Sequence, residues 1–522
     1  MTSLTLDVAG TAQRSLAHKT AWSALSVLAL TAGRFIAGIV SARTLGPSLS
    51  GQLVYLLWLA DSASLVAGLG LHSALTRFTA ELHSQGRHEE SEALFSWALA
   101  RYGAMQCFAA ASISFALPRI AGTPISPPAR LCLLVYLLGQ AANTFVFAYL
   151  AGRQRFDVAV RLSALSGIAL SAAVCVGCWS GRLTGAVIGY TAGTLPAWFV
   201  GWRALSRTPT PRTRPGAELR RRVLRYGLYT CFGAVVSAFV WSRTEIYFLT
   251  RYCGFHSVAL FNVGLSLCAM TNQAAALFTG GLVPHFAGLA GRGSLPAMQR
   301  TYESMTRLAA LVVFPLSLTF AATAPVIVPL LYGPAFRDAV PTASVLAFLA
   351  STSIAGAGSA LVYGRERSWF VAASGTGGAI LAILGGMVVV PAHGPLGAAA
   401  SRAAVQGCMI GIGTWYIQAR LHCPYPWLAL AKTMAAAISA AALGRAIVEV
   451  RADLPGLAAA CVAIAIVYVA LVRHLGLFRA VDATIVYRML PSLPAGLRRF
   501  LALATDWLSG APYQHADHLL VQ

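Results

Sequence analysis

Fourteen apolar runs, each long enough to cross a hydrocarbon core of about 30 Å as a helix, follow one another along this chain with short polar joints between them. They cover residues 21–43, 51–72, 92–117, 130–151, 159–179, 183–203, 224–250, 256–284, 305–331, 341–362, 369–391, 395–418, 427–447 and 456–476. In lipid every backbone N–H and C=O must be satisfied within its own segment, so each run is expected as a transmembrane helix. Composition agrees. The 522 residues are 57% hydrophobic and 11% charged, with a mean hydropathy of +0.67, where a soluble domain would carry about a quarter charged residues. The expected class is an all-α polytopic membrane protein with 14 transmembrane helices.

The formal charge is +22, from 39 basic and 17 acidic residues, and every basic residue except Lys19 and Lys432 is arginine. In a membrane chain such an excess gathers in cytoplasmic segments and meets anionic lipid there; no nucleic-acid partner is implied. With a cytoplasmic N-terminus the inside segments include 152–161, 204–223, Arg292 and Arg300, Arg365 and Arg367, and the tail from Arg473, against little more than Arg43, Arg119, Arg130, Arg182, Arg251, Arg337, Arg445 and Arg451 on the other side. Both termini, 1–20 and 477–522, are therefore expected in the cytoplasm. The first apolar run has span length, unlike the short core of a cleavable signal. Within the tail, Leu497 to Leu508 sets arginines beside an apolar run, the pattern of a helix lying on the inner leaflet, and the last dozen residues are expected to be disordered.

All connections are short, the longest being the basic, proline-containing 204–223, so no external catalytic domain has room. Outside the spans there is no acidic pair, nucleophile triad or phosphate-binding glycine loop, and the histidines lack metal-ligand spacing. Cys175 and Cys178 form a C-x-x-C, but within an apolar helix and without partner ligands, which excludes the accessible thiolates that redox or zinc chemistry needs. Neither an enzyme nor a bound cofactor or metal is expected.

The chain also repeats itself. Arg34 is followed at nine residues by Arg43 and then by Gly46, while Arg243 is followed at eight by Arg251 and then by Gly254. Gly152-Arg153-Gln154-Arg155 is echoed by Gly364-Arg365-Glu366-Arg367, Gly181-Arg182-Leu183-Thr184-Gly185-Ala186 by Gly394-Pro395-Leu396-Gly397-Ala398-Ala399, and Arg77-Phe78 by His285-Phe286. Spans 1–6 (an N-lobe, 21–203) and 7–12 (a C-lobe, 224–418) thus read as two copies of one unit. Six is even, so both copies enter the membrane in the same sense, as parallel repeats. The basic linker 204–223 joins them, and spans 13 and 14 (427–476) are additional.

Three stretches carry a family resemblance: Leu69-Gly70-Leu71-His72-Ser73-Ala74-Leu75-Thr76-Arg77-Phe78, Leu331-Tyr332-Gly333-Pro334-Ala335-Phe336-Arg337-Asp338-Ala339, and Pro391 to Ala399 leading into the twelfth span. With them the chain, from about residue 20 to 476 on the span boundaries above, resembles the Wzx-type polysaccharide-biosynthesis flippases of the multidrug/oligosaccharidyl-lipid/polysaccharide exporter superfamily. The resemblance implies two six-helix lobes facing each other in a V. It also implies alternating-access transport of a polyprenyl-pyrophosphate-linked oligosaccharide across the bacterial inner membrane, for O-antigen, exopolysaccharide or capsule assembly. A polysaccharide polymerase and chain-length proteins would be the partners. Two relatives remain as alternatives, a lipid II flippase, which also has fourteen spans, and a cation-coupled multidrug exporter, which usually has twelve and takes substrates that a cationic cavity would repel.

Five charged residues approach the middle third of the membrane. At the helical rise, Arg34 lies about 13 Å from the outer end of its span, Arg243 about 12 Å, Asp61 about 15 Å and Glu245 about 9 Å, with Arg101 about 14 Å in from the cytoplasmic side. Buried charge in lipid is costly unless it lines a cavity or finds a partner. Arginine suits a pyrophosphate, because its planar fork grips phosphate oxygens two at a time. Arg34, Arg243 and Arg101 are the candidate substrate ligands in a water-filled cavity. Asp61 and Glu245 are counter-ions or the site that couples transport to an H+ or Na+ gradient, and Arg43 and Arg251 mark the outer rim. Glu245 is two residues from Arg243 and so on another helix face.

Overall fold

The computed structural model describes residues 2–120, 127–207, 215–241, 244–279 and 281–479, with 482–483, 487, 499, 502–503 and 505–508 of the tail. The linker stretch 208–214, most of the expected interfacial helix and the last dozen residues lie outside that range. The described residues form helices and turns, without strands. Nine helical stretches among them are long and apolar enough to cross a membrane. The chain is a multi-pass membrane protein, as its apolar runs require.

Its contacts divide it into two compact units. The first holds Trp22–Asn262 and Gly375–Ser401. It contains α1 (Thr2–Ala67) from Trp22 on, α2 (Leu71–Ser84), α3 (His88–Ile120), α4 (Pro127–Gly152), α5 (Phe156–Ala192), α6 (Leu195–Arg207), α7 (Ala217–Trp241), α8 (Glu245–Tyr252), the start of α9 (Gly254–Thr279) and the middle of α14 (Ser368–Leu421). The second holds the rest of α9, α10 (Leu282–Gly291), α11 (Leu295–Tyr332), α12 (Val340–Leu349), α13 (Gly356–Gly364), the two ends of α14, α15 (Trp427–Val450) and α16 (Leu454–His474).

Three joints that the sequence sets out as loops are almost absent. α1 is interrupted only at Gly46 (φ 73°, ψ 176°) and α14 only at Gly394 (φ 56°, ψ −136°), each followed by a proline. Proline disfavours the helical conformation in the residue before it and suits the first turn of the next helix. A glycine without Cβ takes the left-handed φ at the break. α5 reverses at Gly181 and Arg182. The reversal shows in the contacts: a Cβ on Gly177 would lie 2.1 Å from the Gly185 carbonyl oxygen, and one on Gly385 the same distance from Ser401 Oγ. Each pair brackets its break symmetrically, so these elements are tight helical hairpins packed through small residues.

The internal echo extends to the backbone. Left-handed residues recur at Gly46 and Gly254, Gly86 and Gly293, Gln154 and Glu366, and Arg182 and Gly394, with spacings of 208, 207, 212 and 212 residues. The caps match bond for bond in one case. Arg153, Gln154 and Arg155 donate their N–H groups to Tyr149, Ala151 and Leu150, as Arg365, Glu366 and Arg367 do to Leu361, Tyr363 and Val362.

Of the apolar run 224–250, the described residues place α7 up to Trp241 and α8 from Glu245, with Thr244 in a turn just before it.

Each unit has its own core. In the first, Ala37, Leu53, Leu56, Ala60, Leu133, Leu137, Leu170, Val174 and Val187 form one cluster and Leu71, Leu75, Phe78, Leu94, Phe95, Phe145 and Tyr149 another. In the second, Ala309, Ala310, Val313, Phe314, Ala437, Ala440, Ile464, Tyr468 and Leu477 join α11, α15 and α16.

Candidate functional site

Arg34 and Asp61 sit on the two arms of the α1 hairpin, both exposed on its surface. Arg34 is aimed by its neighbour. A Cβ on Gly33 would be 2.5 Å from Gly167 Cα, and Ser171 Oγ donates to the Gly33 carbonyl at 3.2 Å, so residue 33 is pressed against α5. The next position, about 100° round the helix, is left facing outward.

The two charges meet at a buried phenol. Tyr136 of α4 is 5% exposed, among Leu133 and Leu137 of the core. Its hydroxyl donates to Asp61 Oδ1 at 3.2 Å. Arg34 is within electrostatic reach of the same hydroxyl, as is Tyr190 of α5, whose ring meets that of Tyr136 edge-on at 6.5 Å. α4 and α5 are locked nearby by Thr191 Oγ1, which donates to the Cys132 carbonyl at 3.2 Å. The result is a carboxylate held by a buried tyrosine, with an arginine in electrostatic reach of the same hydroxyl, on a framework of three helices. Among the described residues no carboxylate comes within ion-pair distance of Arg34.

Sequence reasoning missed both tyrosines. Each lies in an apolar run, and Tyr136 is 75 residues from the acid it serves, so only tertiary structure reveals the pair.

Glu245 is buried, 8% exposed, in the first turn of α8, where the positive end of the helix dipole favours an acid. Thr244 Oγ1 donates to the Ala238 carbonyl at 3.2 Å, tying the start of α8 to the end of α7. Arg243 lies outside the described residues.

Arg101 is placed differently from the other candidates. Its guanidinium stacks on Trp97, one turn earlier on α3, 4.8 Å from the ring centroid. The face of α3 beside it carries the docking contacts: Tyr102 is 3% exposed, and Gln106 Nε2 donates to the Ser64 carbonyl at 3.0 Å. No contact among the described residues links Arg101 to Arg34 or Asp61. Arg43 and Arg251 are exposed at helix ends, each three residues before a left-handed glycine, Gly46 and Gly254.

The second unit holds two buried arginines that the sequence reading passed over. Arg402, in the C-terminal arm of α14, is 7% exposed and acts electrostatically on Cys268 of α9. A lone arginine in the run 395–418 was the available signal. Arg307 of α11 is 5% exposed and pairs through Nη2 with the fully buried Asp482, at 2.5 Å. Asp482 also accepts from the Arg479 backbone N–H at 2.9 Å. That pair fastens the segment after α16 to α11. The described residues hold no cluster of three or more His, Cys, Asp or Glu that could bind a metal, and all ten cysteines are free thiols.

Residues 40–341 match a family described as polysaccharide biosynthesis protein. Among solved structures, a lipid II flippase, MurJ, in an inward closed conformation is similar over 90% of this chain and 99% of its own, with a TM-score of 0.65 and 11% identity. An inward-facing multidrug resistance MATE transporter of the MOP superfamily covers 77% of this chain and 96% of its own, at 0.62 and 14%. A MOP superfamily transporter from Pyrococcus furiosus, whose binding pocket has reversed polarity, covers 77% and 96%, at 0.53 and 13%. At these identities the likeness is one of fold. No curated protein matches the chain in sequence.

Proposed function

Because the chain belongs to the polysaccharide biosynthesis protein family, matched over more than half its length, we propose that it is a flippase that moves a polyprenyl-pyrophosphate-linked oligosaccharide from the cytoplasmic to the outer leaflet of a bacterial inner membrane. The observation that carries this reading is the Arg34–Tyr136–Asp61 cluster. Arg34 and Asp61 are charged, exposed and midway along apolar helices. A charge in that position facing lipid would be severely penalised, so they line an aqueous path. A path lined by arginine at mid-depth suits an anionic headgroup and disfavours a cation.

In the empty protein, Asp61 offsets the Arg34 charge while Tyr136 holds the carboxylate in place. When the pyrophosphate enters, Arg34 turns to it, and Asp61 keeps the hydrogen bond from Tyr136. Arg243 and Glu245 serve the same path. Alternating access, with the two repeats 21–203 and 224–418 as its moving parts and no covalent step, completes transport. Asp61 or Glu245 supplies the coupling to H+ or Na+ if a gradient drives the cycle. Both termini face the cytoplasm in this scheme, and a polysaccharide polymerase and chain-length proteins are its partners.

A lipid II flippase is the second reading. What favours it is the 90% coverage of this chain by the MurJ structure, against 77% by the MATE transporter. Cells lacking the chromosomal copy separate the two. Restored surface polysaccharide by the wild-type protein, and its loss with Arg34→Ala at normal membrane levels, supports the proposal. Rescue of a cell-wall precursor defect would favour the second reading, and wild-type polysaccharide with Arg34→Ala would sink the anion role.

A further inference from the structure

A second group of arginines in the first unit is not used by the central cluster. It lies where α2 and α4 end and α7 begins. Arg77 of α2 stands over Tyr226 of α7, 4.6 Å from the ring centroid, and 5.5 Å from that of Phe78. Arg222 of α7 is 5.2 Å from the same Phe78 ring and donates to both Glu81 carboxylate oxygens, at 3.0 and 3.4 Å. Phe78, 3% exposed, meets Tyr226 edge-on at 5.9 Å, so the two guanidinium groups share one fixed aromatic seat.

The helices beneath are closely joined. A Cβ on Gly70 would be 2.1 Å from the Gly227 carbonyl oxygen, and one on Gly152 would be 2.8 Å from Thr79 Cβ. Thr76 Oγ1 donates to the Ala148 carbonyl at 3.1 Å. Arg153, at the end of α4, lies 5.3 Å from the Tyr149 centroid. Desolvation, then His88, then Arg153 push the His83 imidazole below its ordinary value. Among the described residues no carboxylate comes within ion-pair distance of Arg77 or Arg153.

Arginines that only mark the cytoplasmic side need no such seat. Stacking on a ring face leaves the in-plane N–H donors of a guanidinium free, in the fork that fits phosphate oxygens. Glu81 is the one carboxylate in the seat, and an exposed ion pair of this kind is weak, whereas paired arginine–phosphate bonds are strong.

We propose that Arg77 and Arg222 form a loading site for the diphosphate of the prenyl-lipid carrier at the membrane surface, with the diphosphate taking Arg222 from Glu81. The site rests on the flippase reading and adds a station before the Arg34 cluster.

The test is the binding of farnesyl diphosphate to the full-length protein in detergent, followed by titration calorimetry, with farnesyl monophosphate and phosphatidylglycerol as competitors. The double variant Arg77→Gln, Arg222→Gln should weaken binding by more than about tenfold, the loss expected for two charge-assisted hydrogen bonds. Glu81→Gln should strengthen it, and neither competitor should displace the diphosphate at equal concentration. Unchanged binding by the double variant overturns the site, as does weaker binding by Glu81→Gln or displacement by phosphatidylglycerol. Binding abolished by Arg34→Gln alone places the diphosphate at the central cluster, which ends this inference and leaves the flippase reading standing. A wild-type protein that binds no farnesyl diphosphate overturns both.

Discussion

Replacing Asp482 by alanine should release the segment after α16 from α11. The side chain is fully buried and holds Arg307 at 2.5 Å and the Arg479 N–H at 2.9 Å. Without it, a guanidinium that is 5% exposed keeps only the Leu477 carbonyl at 3.4 Å and Glu303 at 3.8 Å. Breaking a buried pair from one side costs about 3–5 kcal/mol. The partly exposed Glu303 can return about 1 kcal/mol of that, leaving roughly 2–4 kcal/mol. If the segment opens locally, trypsin should cut after Arg479 about 30- to 700-fold faster, since cleavage follows the population of the open form and 1.4 kcal/mol is about tenfold. The double variant Arg307→Met, Asp482→Leu replaces both charges by apolar groups and should recover most of the protection. Peptide mapping of timed digests in detergent measures this. Equal cleavage of wild type and Asp482→Ala, or a double variant as labile as the single one, would refute the reasoning.

Three further outcomes follow from local geometry. Gly51→Val puts a Cβ 1.8 Å from the Phe255 carbonyl oxygen, so α1 must move away from the start of α9 at a cost of about 1–3 kcal/mol; folded yield on size-exclusion chromatography should drop, while Gly103→Ala, with open space around it, should behave as wild type. Tyr136→Phe removes the donor to Asp61 and should lower export at unchanged membrane levels; full export would show that the hydrogen bond is not needed. His83 is depressed below its ordinary 6.5 by desolvation first, then by His88 and Arg153, so its contribution to stability is present above that value and is lost as pH falls through the lowered one. Thermal unfolding at about pH 7.5 and about pH 5.5 should therefore show a larger acid loss for wild type than for His83→Gln, and equal losses would remove the effect.

The helices and the two-fold echo were legible in the sequence because each is written in local pattern. Span-length apolar runs give the helices, and a charge inside such a run is conspicuous at once. The echo between Arg43-x-x-Gly46 and Arg251-x-x-Gly254 reappears as a pair of left-handed glycines, because the sequence marks the position where the helix must end. What stayed hidden depends on partners distant in the chain. Tyr136 looks like any aromatic residue of an apolar run until α1 places Asp61 beside it. Asp482 reads as part of a polar tail, yet it is among the most buried acids because Arg307 supplies its counter-charge 175 residues away.

The central claim is that Arg34 grips the anion being moved. Its most direct test is translocation of a fluorescent polyprenyl-diphosphate oligosaccharide in liposomes containing the purified protein. Accessibility to a membrane-impermeant quencher reports the leaflet. Wild-type protein is predicted to equilibrate the lipid between leaflets, and Arg34→Ala to leave it where it was added, with Arg43→Ala, at the helix end, close to wild type. Equal rates for wild type and Arg34→Ala would contradict the account.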